Sequence, residues 1–340
     1  MRHEIASDTA NLERTGFRRM DWTGTSIRRV ITGLVLSTLL HFSPNQLRAQ
    51  SDSIRADVFI GAANSTSFSF ELSQGEIIVP ISINGSKPLR FVLDSGSTRT
   101  LIDRKVATQL GLKEGEPSSL QGAGEGRIPI HALHDVDLRL PGLDSRGYEC
   151  FSIDLAPVGK AVGTQEDGIL GYNFFARFVV TVDFQAKLMK LELPSAFHPP
   201  SGFEALPIEL RNKWAFVDGE LRFPDVATVH DSFFIDSGSS DAVDHPVAKT
   251  IKSRKSATTG VGLGTPTSGA LAIATSFRIG SFTVKGPIVA CCGATDATSR
   301  MIGTEVLRRF TVIFDYPSSR LFLRPNSALN DPFGPLPSDP

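Results

Sequence analysis

Two acids in this chain stand where an apolar run breaks into the same tetrapeptide. "RFVLDSGSTRTLID" (residues 90–103) carries Asp94-Ser95-Gly96-Ser97, and "SFFIDSGSSDAVD" (residues 232–244) carries Asp236-Ser237-Gly238-Ser239. A strand that runs straight into a glycine-containing turn delivers a carboxyl to the end of a sheet. Two such carboxyls brought to about 3 Å could not both ionise. They would hold one proton between them, one acting as base toward a water and the other as acid toward a leaving group. Such a pair titrates as a unit, so the proton is assigned to neither Asp94 nor Asp236. The plain alternative is a pair of structural Asp-Gly turns, and the repetition speaks against it.

The elements around the acids repeat as well. "DGILGYNFFARFVVTVDFQAKLMKLEL" (residues 167–193) resembles "RMIGTEVLRRFTVIFDYPSSRLFLRP" (residues 300–325). With Gly171 on Gly303, Arg177 falls on Arg309, Phe178 on Phe310, Val180 on Val312, Asp183 on Asp315 and Leu191 on Leu323 without a gap. Each half also holds one glycine-rich segment, "LQGAGEGRIPI" (residues 120–130) and "TTGVGLGTPTSG" (residues 258–269). A repeat of this kind implies a duplicated architecture. Local signals are mostly β: two apolar runs flank Asn84-Gly85, a strong hairpin signal. Helical signals are few: one short helix is expected after Asp103 as cap, ending at Gly111, and a short helical turn after Gly171 and after Gly303. The reading divides the chain into an N-terminal extension and signal peptide (1–50), a first lobe (70–195), a Pro-rich linker (196–206), a second lobe (207–326) and a loose tail (327–340).

Composition bounds the rest. The 340 residues carry 35 Lys+Arg against 36 Asp+Glu, a net charge of -1, which gives no electrostatic reason to expect nucleic acid. Gly 30, Pro 21 and Phe 23 suit a turn-rich globular fold with buried aromatic anchors. Three cysteines exclude a disulfide framework, and three buried thiols are the favoured reading over one bridge. Arg28-Arg29, the apolar run Val30 to Phe42 and Leu47-Arg48-Ala49 fit a secretory signal cleaved near Ala49 or Gln50, with Met20 as an alternative start. Export to the periplasm or beyond is therefore expected, with no further membrane span. His131 and His134 would face opposite sides of a strand, so no metal is expected there. No Gly-x-Ser-x-Gly surrounds a serine and no phosphate-binding Gly-Lys-Ser/Thr loop occurs.

Over residues 75 to 325 these motifs resemble the aspartic peptidase superfamily, whose members carry Asp-Thr/Ser-Gly-Ser/Thr/Ala after a hydrophobic strand and an apolar-apolar-Gly later in each half. Here the latter are Ile169-Leu170-Gly171 and Met301-Ile302-Gly303, the psi-loop positions. The fused arrangement looks like pepsin, while the short halves look like two tandem retropepsin-type units. The resemblance implies an all-β, bilobal, pseudo-two-fold fold with two β-barrel-like lobes and the active cleft between them. It implies Asp94 and Asp236 as catalytic, Ser95 and Ser237 locking the turns together, Gly96 and Gly238 permitting their close approach, and Ser97 and Ser239 donating hydroxyls to the carboxylates. It also implies that Gly122, Ala123 and Gly124 form a flap tip, with Gly260, Gly262 and Gly264 as a second one. No tyrosine lies between residues 98 and 147, so a pepsin-type flap tyrosine is absent from the sequence.

The expected function is an aspartic endopeptidase without metal or organic cofactor, acting on peptide or protein with apolar residues flanking the scissile bond. Hydroxyl donors to both carboxylates would lower their pKa values and lean the optimum acidic. Both acids come from one chain, so a monomer is expected. A catalytically inactive peptide- or protein-binding module on the same scaffold is the alternative.

Overall fold

The central strands explain where the acids end up. Leu89–Leu93 is buried at Phe91, Val92 and Leu93, without the alternation of a half-exposed strand. It lies between two partners, Glu76–Ile83 antiparallel on one side and Gly168–Leu170 parallel on the other. The second half repeats this: Val229–Ile235, buried from Phe233 to Ile235, lies between Trp214–Arg222 antiparallel and Met301–Ile302 parallel. A strand covered on both faces reads as a continuous apolar run. Each acid is the first residue beyond such a run.

This is a computed structural model, and it describes residues 56–61, 63–121, 126–259, 267–291 and 300–336. The expected signal segment, residues 1–50, lies outside the described residues. Three sheets make up the fold. Eleven strands between Ala56 and Leu170 form the first and ten strands between Glu209 and Ile302 form another. Among the described residues neither strand order closes on itself, so each lobe is a folded open sheet and not a closed barrel. The helix expected after Asp103 is Arg104–Gln109; the Asp103 side chain accepts from Lys105 N and Val106 N, and Gly111 follows at φ +66°. No helix among the described residues is long and apolar enough to cross a membrane.

A six-stranded sheet joins the halves, in the order Glu204–Pro207, Arg320–Pro325, Phe310–Asp315, Val179–Asp183, Leu188–Glu192, Ser65–Ser69. At its centre Thr181 faces Ile313, flanked by Val180 opposite Phe314 and Val182 opposite Val312. The gap-free alignment sets residue 181 on residue 313, so the repeat meets itself here and the approximate two-fold passes through this pair. Below it, Phe175 packs on Phe314 and Tyr316 with ring centroids 5.2 Å away from each. Each fully buried ring contributes roughly 1.5–3 kcal/mol.

Three expectations about the chain's joints change. The first lobe takes in strands before residue 70, because Ala56–Phe59 and Ser65–Ser69 are paired into sheets. The linker's last residues form a strand, Glu204–Pro207, on the joining sheet. The tail, expected to be loose, is held at its start. Arg309, fully buried, donates to the carbonyls of Ala328 (3.0 Å) and Asp331 (2.6 Å), and its guanidinium lies 3.8 Å over Phe333. A buried guanidinium must find acceptors, and the tail's backbone supplies them. Arg177, its aligned partner, instead pairs with Asp57 at 2.6 Å. Cysteine chemistry also departs from three thiols: Cys150 is a free, buried thiol, while Cys291 is disulfide-bonded.

Candidate active site

The two acidic turns are knitted together by their own serines. Ser95 Oγ donates to Ile235 O (2.8 Å) and accepts from Ser237 N (2.9 Å). In mirror fashion Ser237 Oγ donates to Leu93 O (2.8 Å) and accepts from Ser95 N (3.0 Å). Both serines are completely buried, so each of these four bonds is protected from water and costly to lose. Glycine is needed where the turns meet. A Cβ on Gly96 would lie 2.5 Å from Asp236 Cγ, and one on Gly238 would lie 2.5 Å from Asp94 Cγ. Each carboxyl therefore rests against the other half's glycine.

The carboxyls lie within hydrogen-bonding reach of each other. Asp94 Oδ1 accepts from Gly96 N (2.8 Å) and Ser97 N (2.9 Å), and Asp236 Oδ1 accepts from Gly238 N (2.9 Å). Both acids keep part of their surface open while protein crowds round their carboxyls. That crowding raises Asp94 above its ordinary value, against the hydrogen bonds from Asp236, Gly96 and Ser97. Asp236 is held well above its own, first by burial and then by the charge of Asp94. One proton on the pair is the arrangement these effects favour.

The hydroxyl of Ser97 does not serve the carboxylate as expected. It donates to Arg99 O (2.8 Å), and the Ser97 backbone N–H takes the carboxylate instead. Ser239 Oγ accepts from Asp241 N at 3.2 Å. The tight turn already aims backbone amides at Oδ1, which leaves the hydroxyl to its own chain. The acidic-optimum expectation rested on these hydroxyl donors and loses that support.

The psi-loop residues sit directly behind the turns. Asp94 N donates to Leu170 O (3.0 Å) and Asp236 N to Ile302 O (2.9 Å). Ile169 and Met301 flank them on the same short strands, Gly168–Leu170 and Met301–Ile302. A Cβ on Gly171 would meet Arg99 O at 2.1 Å, and one on Gly303 would meet Asp241 O at 2.2 Å. The glycine-rich segments each cap an antiparallel hairpin, paired up to Gln121 opposite Arg127 and up to Thr259 opposite Thr267. Their tips, including Gly122, Ala123, Gly124, Gly260, Gly262 and Gly264, lie outside the described residues.

Two further side chains reach the turns, and both were missed in the sequence. Trp214 Nε1 donates to Gly96 O at 2.6 Å, so the second half supports the first half's turn. Glu76 begins the strand Glu76–Ile83, next to Gly75, where an added Cβ would lie 2.9 Å from Ser240 Cβ. Its Oε2 is buried without a hydrogen-bond partner. The Glu76 carboxyl is pushed up to about 7, first by burial, then by the charges of Glu166 and Asp236, against Arg90. The two are counterparts: Glu76 pairs with Ser73 across one tight hairpin, and Trp214 with Arg211 across the other. An internal alignment anchored on these hairpins would have found them.

Residues 79–174 match the family model described as Aspartyl protease, a span that includes the first acidic turn and Ile169-Leu170-Gly171. No curated protein matches the chain. That model is seated on the strand, turn and glycine that hold Asp94, and the same arrangement is built again around Asp236; the match supports an assignment to the aspartic peptidase superfamily, on the retropepsin-like side.

Proposed function

We propose that this protein is an aspartic endopeptidase in which Asp94 and Asp236 activate one water between them. The observation that carries the reading is the meeting of the two carboxyls, from turns 142 residues apart, each against the opposite glycine. Burial and mutual charge favour a singly protonated pair, which is the state that can act as base and acid at once. The ionised member takes a proton from the water as its oxygen attacks the carbonyl carbon of the peptide. The protonated member polarises the carbonyl oxygen, and a proton then passes to the departing amide nitrogen. Fixed backbone N–H groups on each Oδ1 and the serine lattice hold the carboxyls in place, so little reorganisation is needed as charge moves.

The test is cleavage of a mixed peptide library across pH by wild type, Asp94→Asn and Asp236→Asn, with pepstatin as class inhibitor. The wild type should cleave and be inhibited. Either amide should lower the rate by at least about a thousandfold while circular dichroism and thermal unfolding show a folded protein. A folded Asp236→Asn protein that still cleaves at near wild-type rate would refute the assignment. A wild type that binds peptides yet cleaves none at any pH would establish the inactive binding module.

A further inference from the structure

Sequence duplication gives the two turns like surroundings, and the side chains then break the likeness by charge. Five residues past Asp94 stands Arg99; five past Asp236 stands Asp241. The hairpin that reaches the Asp94 turn has Lys213 at its bend and Trp214 after it. The hairpin that reaches the Asp236 turn has Gly75 and Glu76 in those places. One end of the site therefore carries two cations, Arg99 and Lys213, at positions where its counterpart carries none.

The cationic end is also a cavity. About 220 Å³ of space beside the Asp94 turn is lined by Thr98, Arg99, Glu149, Tyr172, Asn173 and Lys213 among others. Tyr172 N donates to Ser97 O (2.8 Å), which ties the wall of the cavity to the turn itself. Arg99 lies 4.3 Å over the Phe151 ring and 3.2 Å from Glu149, which shares its charge but is itself 46% exposed. Arg177 also borders the space, with its guanidinium already spanned by Asp57. Lys213 is exposed, 5.5 Å over the Tyr172 ring, and makes no ion pair among the described residues. An exposed ammonium beside a partly compensated guanidinium leaves the cavity a net attraction for a carboxylate.

We infer that the cleft has a charge polarity: the cavity beside Arg99 and Lys213 receives an acidic side chain of the peptide, and the opposite end, with Asp241 and Gly75 in the corresponding places, offers no cation to hold one. This deepens the peptidase reading by naming the substrate class, and it rests on that reading only for the word substrate. A two-fold cleft could otherwise take a peptide in either direction. Cations at one end only select one direction, through attraction of an acidic side chain to that end.

The experiment uses three peptides with one apolar core, flanked acid-then-base, base-then-acid, or by neutral residues. At about pH 6 peptide carboxylates of ordinary pKa are ionised. Cleavage is read as kcat/KM, and binding of reduced-bond, uncleavable versions is read by fluorescence anisotropy. The wild type should prefer one charged arrangement over the other by about three- to tenfold in both readouts, less so at high salt. Lys213→Glu and Arg99→Gln should bring that ratio toward one or invert it. A wild-type ratio of one, or a ratio that neither variant moves, overturns the proposal. Because binding is read without turnover, polarity in binding with no cleavage would sink the catalytic reading and leave the polarity standing. Cleavage without polarity would do the reverse.

Discussion

Replacing Glu76 by glutamine should make the protein more stable, and only at neutral to alkaline pH. An unfolded glutamate ionises near the ordinary 4.5, whereas the folded carboxyl keeps its proton up to about 7. The fold therefore loses nothing from this group below about pH 4.5. It loses progressively more as pH rises toward 7, and the loss is constant above that. The full difference corresponds to about 3 kcal/mol at 1.36 kcal/mol per pK unit. Glu76 is only partly buried, and water screens part of that, so about 1–2 kcal/mol is the expected size. Glutamine keeps the shape, has no proton to lose, and leaves a neutral group where Oε2 now has no partner.

Chemical denaturation of wild type and Glu76→Gln at pH 4 and pH 8 measures this as a difference of differences, in which the other titrating groups cancel. The variant should match wild type at pH 4 and gain about 1–2 kcal/mol at pH 8, or about 2–6 °C in Tm. Equal effects at the two pH values would show that Glu76 is ionised in the folded protein and well solvated. A loss of stability confined to pH 8 would mean that its negative charge has a favourable partner, and the electrostatic account of this end of the site would be wrong.

Other perturbations act on the turns themselves. Gly238→Ala places a methyl 2.5 Å from Asp94 Cγ, so the turns must part; a fall of about 1–3 kcal/mol in unfolding free energy with at least about a hundredfold loss of peptidase rate is expected. An alanine variant with wild-type stability and rate would show that the approach is looser than the geometry says. Ser95→Ala strands Ile235 O and Ser237 N, both in the buried lattice, and should lower stability by about 2 kcal/mol or more by denaturant titration; Ser95→Thr, which keeps the hydroxyl, should recover most of it. In the pH profile of kcat/KM, burial and mutual charge, which raise both Asp94 and Asp236, should keep the pair singly protonated and active as pH rises past the ordinary carboxylate range, with the alkaline limb set by the loss of the shared proton. An alkaline limb falling near pH 4 would contradict a raised pair.

What could be read from the sequence is what short-range physics dictates. An uninterrupted apolar strand ending in Asp-Ser-Gly requires burial on both faces and a turn at its tip, and Leu89–Leu93 and Val229–Ile235 are built that way. The apolar-Gly pairs were legible for the same reason: a strand slotted in parallel beside each acid-bearing strand is apolar because it is buried, and it must end in glycine, since a Cβ on Gly171 would lie 2.1 Å from Arg99 O and one on Gly303 2.2 Å from Asp241 O. Glu76 and Trp214 were not legible, because their roles depend on distance across the two-fold. Glu76 stands eighteen residues before Asp94 and Trp214 twenty-two before Asp236, so an alignment pinned on the acids never places one on the other. Their chemistry hides them too, since a glutamate at the start of an apolar strand reads as a solvated end and a tryptophan as core.

The same distinction explains the Ser97 hydroxyl. A motif fixes which groups are near a carboxylate, but the choice of donor belongs to the turn, where backbone amides arrive first and leave the hydroxyl to Arg99 O. Duplication then has a definite physical consequence at this site. Positions that touch both acids must stay alike, because each serine is donor and acceptor to the opposite strand and each glycine lies under the opposite carboxyl. Positions one turn further out serve only one of the two acidic turns, and nothing in the interlock constrains them to match. That is where Arg99 faces Asp241 across the pseudo-symmetry, and Lys213 faces Gly75. Charge asymmetry can enter a symmetric cleft there without disturbing the pair that the cleft exists to hold.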